Sequence, residues 1–173
     1  MPCTAGTFSN AIKASSVTTC VAVTAGTWSA TVAATVDGAS CTAGFYCPAP
    51  GGHTHSKAVL CEKGYKCPTG SAVTIKCDKT NNEYNDMYGQ ALCMSCPGGF
   101  ECTNDPSDSK VKCTPHLTGT NFYCLPDKAE RTACPTGKYN FHDRSEALTD
   151  CWSCPPGYFC PDTPSPDSQW YKI

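Results

Sequence analysis

The sequence predicts a small disulfide-rich fold, an elongated tandem array of short β-hairpin and turn modules with little helix and no single large core. Three observations carry that prediction. Sixteen of the 173 residues are cysteine, about 9%, which is the density of a disulfide scaffold. Seven times a glycine is followed within two residues by an aromatic ring: Gly6-Thr7-Phe8, Gly26-Thr27-Trp28, Gly44-Phe45, Gly64-Tyr65, Gly99-Phe100, Gly137-Lys138-Tyr139 and Gly157-Tyr158. Leu and Ile are sparse, Gly and Pro number 14 each, and no window sustains an apolar helical period.

The cysteines and glycines together form an internal repeat. Cys41-Thr-Ala-Gly-Phe-Tyr-Cys47-Pro returns as Cys96-Pro-Gly-Gly-Phe-Glu-Cys102 and as Cys154-Pro-Pro-Gly-Tyr-Phe-Cys160-Pro, a spacing that reads as an array of small units. Residues 1–40 form degenerate Thr/Ala-rich long-loop units, 41–95 a first cysteine-rich repeat and 96–153 a second. Residues 154–173 are a partial repeat and tail.

Taken in order, two kinds of unit alternate. Long loops run from Cys3 to Cys20, Cys77 to Cys93 and Cys134 to Cys151, each closed by one bond. Four-cysteine units hold Cys41, Cys47, Cys61 and Cys67, then Cys96, Cys102, Cys113 and Cys124, with two bonds in each. Interleaved pairing is favoured there (Cys41–Cys61 with Cys47–Cys67, Cys96–Cys113 with Cys102–Cys124), and local Cys-x5-Cys closure is the alternative. The glycines supply positive φ at tight turns, and the ring after each covers a neighbouring disulfide. Ser145–Thr149 is expected to form one helical turn.

One unit departs from the pattern. Val23-Thr-Ala-Gly-Thr-Trp28 repeats Cys3-Thr-Ala-Gly-Thr-Phe8 with Val23 in the cysteine position, and Gly38 stands where the closing cysteine would be. The first 40 residues hold nine Ala, eight Thr, five Val and five Ser, with only Lys13 and Asp37 charged. Exposed on an unpaired edge, such β-prone sequence promotes association unless subunits or sugar cover it. No Asn-x-Ser/Thr acceptor exists, so O-linked glycans are expected instead, at Ser15, Ser16, Thr18 and Thr19.

Other chemistry finds little support. The net charge of −2 and the lack of a basic run argue against a nucleic-acid partner, and no apolar stretch is long enough for a membrane span. Cys93/Cys96 and Cys151/Cys154 mimic zinc or redox pairs, but the repeat gives each cysteine a place elsewhere. His53 and His55 lie in a Gly-rich polar loop. Asp78, Asn81, Asn82, Asn85 and Asp86 offer oxygen ligands without the glycine and terminal glutamate of an EF-hand loop. No metal, cofactor or enzymatic activity is expected.

The run Cys134-Pro-Thr-Gly-Lys-Tyr … Cys151-Trp-Ser-Cys154-Pro-Pro-Gly-Tyr-Phe-Cys160-Pro resembles the ephrin-receptor-like cysteine-rich repeat, and more distantly the cysteine-rich repeats of tumour-necrosis-factor receptors. The resemblance covers residues 41–161, and 1–40 in degenerate form. It implies an extracellular or cell-surface, elongated, non-enzymatic rod. Two roles follow: a structural subunit of a filament, surface hair or coat, or a ligand-binding ectodomain fragment whose loop is 103–112.

The N-terminus enters a repeat with no leader-like segment, and the C-terminus follows half of a four-cysteine unit. The chain is therefore read as a mature protein or a fragment that self-associates end to end, with Cys154 and Cys160 bonded to each other, to the next subunit or within a longer parent chain.

Overall fold

A computed structural model describes residues 1–12, 16–48, 58–103, 110–113, 122–160 and 171–172. The event from which the chain is built is local. A residue with positive φ turns the backbone, and the next two or three residues form a strand. All seven glycines of the Gly–aromatic motif have φ between 75° and 85°. At Gly26 and Gly44 glycine is required twice over, because a Cβ there would also fall on the carbonyl oxygens of Gly70 and Gly89.

Each such strand pairs antiparallel with one later strand and with no other, giving nine two-stranded hairpins among the described residues. They are β1 Thr7–Phe8 with β2 Val21–Ala22, β3 Thr27–Trp28 with β4 Ala39–Ser40, and β5 Phe45–Tyr46 with β6 Val59–Leu60. Next come β7 Tyr65–Lys66 with β8 Ile75–Lys76, β9 Glu83–Tyr84 with β10 Met94–Ser95, and β11 Phe100–Cys102 with β12 Lys110–Lys112. The last are β13 Phe122–Tyr123 with β14 Thr132–Ala133, β15 Lys138–Tyr139 with β16 Trp152–Ser153, and β17 Tyr158–Phe159 with β18 Tyr171–Lys172.

Two hairpins escape the glycine motif. β9 starts after Asn82, which takes the left-handed conformation at φ 59°, a role Asn fills because its short side chain tolerates αL. β13 follows Asn121, which lies outside the described residues. Helix is confined to short 3₁₀ turns, at Val17–Thr19, Lys79–Asn81 and Leu148–Asp150 among the described residues. The last of these overlaps the turn expected over 145–149 but is displaced toward Cys151.

The eight disulfides use all sixteen cysteines. Cys3–Cys20, Cys77–Cys93 and Cys134–Cys151 close the three long loops. The interleaved pairing expected in the four-cysteine units is not what the structure holds. Its bonds are Cys41–Cys47, Cys61–Cys67, Cys96–Cys102 and Cys113–Cys124, and Cys154 likewise bonds to Cys160. The glycine turn explains the difference. It folds the chain back so that cysteines six apart, such as Cys61 and Cys67, bring their Cα atoms to 5.9 Å.

Successive hairpins are fastened by recurring backbone bonds. The left-handed glycine's N–H donates to the carbonyl just after the first strand of the following hairpin: Gly6 to Ser29, Gly26 to Cys47, Gly44 to Cys67, Gly64 to Asn85 and Gly99 to Cys124, at 2.8–2.9 Å. The carbonyls of Cys3, Cys41, Cys61, Cys96 and Cys113 accept from the N–H groups of Ala33, Gly70, Gly89, Asp127 and Arg144, each of which has positive φ. These bonds satisfy backbone groups that such short strands leave unpaired.

The chain forms two units, Met1–Cys77 with Asn85–Cys93, and Asp78–Tyr84 with Met94–Ile173. Burial in both is dominated by cystine: Cys41, Cys47, Cys61 and Cys67 are fully buried in the first. In the second, Tyr84 packs on Cys96 and Cys102, and Tyr123 packs on Cys134 and Cys151. The molecule is thus disulfide-rich and hairpin-built, with no sheet beyond two strands among the described residues.

Candidate functional site

The first two hairpins carry an apolar surface in which Asp37 is the one charged side chain among the described residues. Both residues of β2 are exposed, and those of its partner strand β1 are half-buried. Exposure continues through Ile12 (91%), Val17, Val32 and Val36 (71%). A cleft of about 380 Å³ opens here, lined by Met1, Ala11, Val17, Cys20, Ala33 and Ala34 among others. The parallel bridge between Phe8 and Ala34 holds its far wall, together with the Ser9 N–H to Ala34 carbonyl bond at 3.0 Å.

The glycan candidates border this surface. Ser16 and Thr18 are exposed, their hydroxyl oxygens lie 2.8 Å apart, and Ser16 Oγ accepts from the Thr18 N–H at 3.2 Å, capping the 3₁₀ turn. Thr19 donates its hydroxyl to the Ser16 carbonyl at 2.9 Å and is half-buried. Ser15 lies outside the described residues.

The hairpin without a disulfide is closed by a carboxylate. Val23 takes the cysteine's place as a buried apolar side chain. Asp37 Oδ2 accepts from the Thr24 hydroxyl at 2.7 Å. Its Oδ1 accepts from the Thr24 N–H at 3.1 Å, the Gly38 N–H at 2.8 Å and the Thr27 hydroxyl at 3.3 Å. The Thr24 hydroxyl is the main cause holding this carboxyl below its ordinary range, against a smaller opposing effect of burial. Gly38 stands directly before β4, as Cys93 and Cys151 stand before β10 and β16. A Cβ on the present backbone would strike Trp28, and the crosslink comes from Asp37 beside it.

The oxygen-rich stretch from Asp78 to Asp86 is engaged in the fold. Asp78 Oδ1 accepts from the Thr80 N–H at 2.9 Å, and Asn82 Oδ1 accepts from the Ala129 N–H at 3.0 Å. Asn85 is fully buried, donating to the Tyr65 carbonyl at 2.6 Å and accepting from the Met87 N–H at 3.0 Å. Asn140 repeats this arrangement with the Phe122 carbonyl (2.6 Å) and the His142 N–H (2.9 Å). Both asparagines occupy the position after the first strand that a cysteine takes in the short-loop modules. Sequence reasoning missed them, although Asn-Asp86-Met and Asn-Phe141-His follow the same offset from a turn residue.

Cys93 and Cys96 belong to different disulfides, as do Cys151 and Cys154. Among the described residues no three His, Cys, Asp or Glu side chains gather as metal ligands would. His53 and His55 lie outside the described residues, as does most of the 103–112 loop, whose end, Lys110–Lys112, is strand β12.

A further cluster was not singled out in the sequence. Tyr139 and Trp152 are cross-strand partners in the β15–β16 hairpin. Phe141 stacks on Tyr139 at 5.7 Å between centroids, with planes 21° apart, and meets Trp152 at 6.5 Å.

No protein-family model and no curated protein matches the chain. Eight disulfides fit a secreted or extracellular protein, and no helix among the described residues is long and apolar enough to cross a membrane.

Proposed function

We propose that the chain is a non-catalytic extracellular structural protein, a disulfide-stapled repeat subunit that self-associates into a filament, surface hair or coat. The observation that carries this reading is the exposed aliphatic surface of the first two hairpins, with Ile12, Val17, Val21 and Val36 facing solvent and Asp37 the one charge described there. Apolar surface of this kind is costly in water and is relieved by contact with a second copy. Likeness of the Cys134–Cys160 motif to ephrin-receptor-like repeats supports an extracellular, non-enzymatic module.

Sedimentation velocity over a range of concentration tests the reading. Assembly should grow with concentration, resist high salt because little charge is involved, and be lost in Val17→Asp and Val36→Asp. A monodisperse monomer at every concentration overturns it. O-linked sugar on Ser16 or Thr18 would sit at the rim of the same cleft and block this contact. Intact mass is therefore measured on the same sample, and an added glycan mass assigns the surface to solubility instead.

The second reading is a ligand-binding or adhesive ectodomain fragment of a larger surface protein. It is favoured by one observation, the exposed aromatic cluster on the β15–β16 hairpin.

A further inference from the structure

The carboxylate clamp of the β3–β4 hairpin contains the single Asp-Gly pair of the sequence, Asp37-Gly38, and no Asn-Gly pair occurs. Both residues are fixed by the fold. Asp37 accepts the four hydrogen bonds that close the hairpin. On the present backbone a Cβ at Gly38 would strike Trp28. The clamp therefore uses the dipeptide most open to attack on its own side chain, because glycine has no Cβ to shield its amide nitrogen from the preceding carboxyl.

We propose that Asp37-Gly38 is a site of spontaneous backbone isomerisation, restrained by the clamp and released when the hairpin opens. In the reaction the Gly38 nitrogen attacks Cγ of the protonated Asp37 carboxyl. A C–N bond forms, the carboxyl's hydroxyl leaves as water with the amide proton, and a five-membered succinimide results. Water then opens the ring at the Asp37 main-chain carbonyl, and the chain runs onward through Cβ and Cγ as an isoaspartyl linkage. One water is lost and one regained, so the mass is unchanged, nothing is oxidised and no co-reactant is needed.

The closed hairpin restrains the first step. The Gly38 N–H donates to Asp37 Oδ1 at 2.8 Å, so its hydrogen, rather than the nitrogen's lone pair, faces the carboxyl. Donors from Thr24 and Thr27, at 2.7–3.3 Å, favour the ionised form, which cannot release an oxygen as water. Asp37 and Gly38 are half-buried, so water reaches them once the clamp parts.

The product cannot reclose. The isoaspartyl linkage adds a methylene to the main chain just before Gly38, where a Cβ already finds no room against Trp28 and the next residue, Ala39, pairs with Trp28. Its carboxylate hangs directly from Cα and loses the reach that joined it to Thr24 and Thr27. Isomerisation thus removes the clamp from the hairpin that has no disulfide to replace it. The site does not depend on the reading of the chain as a filament subunit.

The test is storage of the full disulfide-bonded chain at neutral pH and physiological temperature. Peptide mapping by electron-transfer fragmentation then distinguishes aspartyl from isoaspartyl linkages of equal mass. Isoaspartate should accumulate at position 37 and not at the exposed Asp127 or Asp143, which precede Lys128 and Arg144. Thr24→Val removes one hydroxyl bond and should raise the rate roughly tenfold, in step with the open population. The unstructured peptide 23–40 sets the upper limit. Hydrogen exchange on the separated isoaspartyl form should show protection lost over 23–40 and kept elsewhere. Each variant is checked for the Cys3–Cys20 bond by mass, and Thr27→Val serves if Thr24→Val misfolds. Four results overturn the proposal: position 37 stays aspartyl in wild type and variant alike, the two convert at equal rates, Asp127 or Asp143 converts as fast, or the isoaspartyl form keeps wild-type protection.

Discussion

Replacing Asp37 by alanine should open one hairpin and leave the others closed. The side chain makes four hydrogen bonds that tie Thr24 and Thr27 to the residues entering β4. A bond to a charged acceptor contributes about 1.5–3 kcal/mol when water is excluded. Asp37 is only half-buried, so solvent replaces much of that, and a total of about 2 kcal/mol is the reasonable figure. That corresponds to roughly a thirtyfold rise in the open population of β3–β4. Hydrogen exchange read on peptides covering 23–40 measures it, with peptides from the disulfide-closed hairpins as internal reference.

The pH dependence carries its own sign. Because the folded carboxyl titrates below its ordinary value of about 3.9, its contribution is complete at neutral pH. It is lost as pH falls through the depressed folded value. The wild type should therefore approach the variant only once the pH has fallen below the ordinary carboxylate range. Equal protection of residues 23–40 in the two proteins at pH 7, or loss of protection spread evenly over all hairpins, would refute the argument.

Three further outcomes follow from the same geometry. Trypsin cleavage after Lys57 under non-reducing conditions should separate Cys41 and Cys47 from Cys61 and Cys67, whereas interleaved bonds would keep the two peptides joined in the mass spectrum. Gly137→Ala, which meets nothing within 4 Å, should cost only the about 1–2 kcal/mol of a left-handed alanine. Gly44→Ala should cost about 4 kcal/mol or more, since the Gly89 backbone must also move; equal shifts in the guanidinium midpoint would count against the hairpin contacts. Asn85→Ala and Asn140→Ala should each destabilise by about 3 kcal/mol, because each leaves a carbonyl and an N–H unpaired, and wild-type unfolding curves for both would contradict the shared role.

Much of the hairpin pattern was legible in the residues. The glycine–aromatic pairs mark seven turns because positive φ is far cheaper for glycine, whereas the rings that pack on cystines, Tyr84 and Tyr123, belong to the two hairpins outside that motif. The β9 hairpin was not legible, because Asn82 performs the glycine's role and reads as a polar loop or a calcium ligand. Disulfide pairing was misread for a different reason. Interleaved and local bonds fit the same spacing, and only the backbone turn at Gly44, Gly64 and Gly99 decides between them. The bonds between hairpins join carbonyls and N–H groups that every residue possesses, so no side chain announces them. Asp37 and Gly38 show the opposite case, in which an apparent loss of pattern at one position hides its replacement at the next.

The local closure of the disulfides also determines how the chain would respond to tension. A pulled segment between Cys41 and Cys47, or between Cys134 and Cys151, pays out no length, because covalent bonds short-circuit it. Slack resides only between closed loops, and the longest such stretch runs from Cys20 to Cys41. Fully drawn out it would lengthen the chain to about 70 Å over that interval, at about 3.3–3.6 Å per residue. The Asp37 clamp lies within it. The largest single reserve of length thus lies in one hairpin, fastened by a group that acid releases, and a stretched chain would lengthen there more readily in acid than at neutral pH.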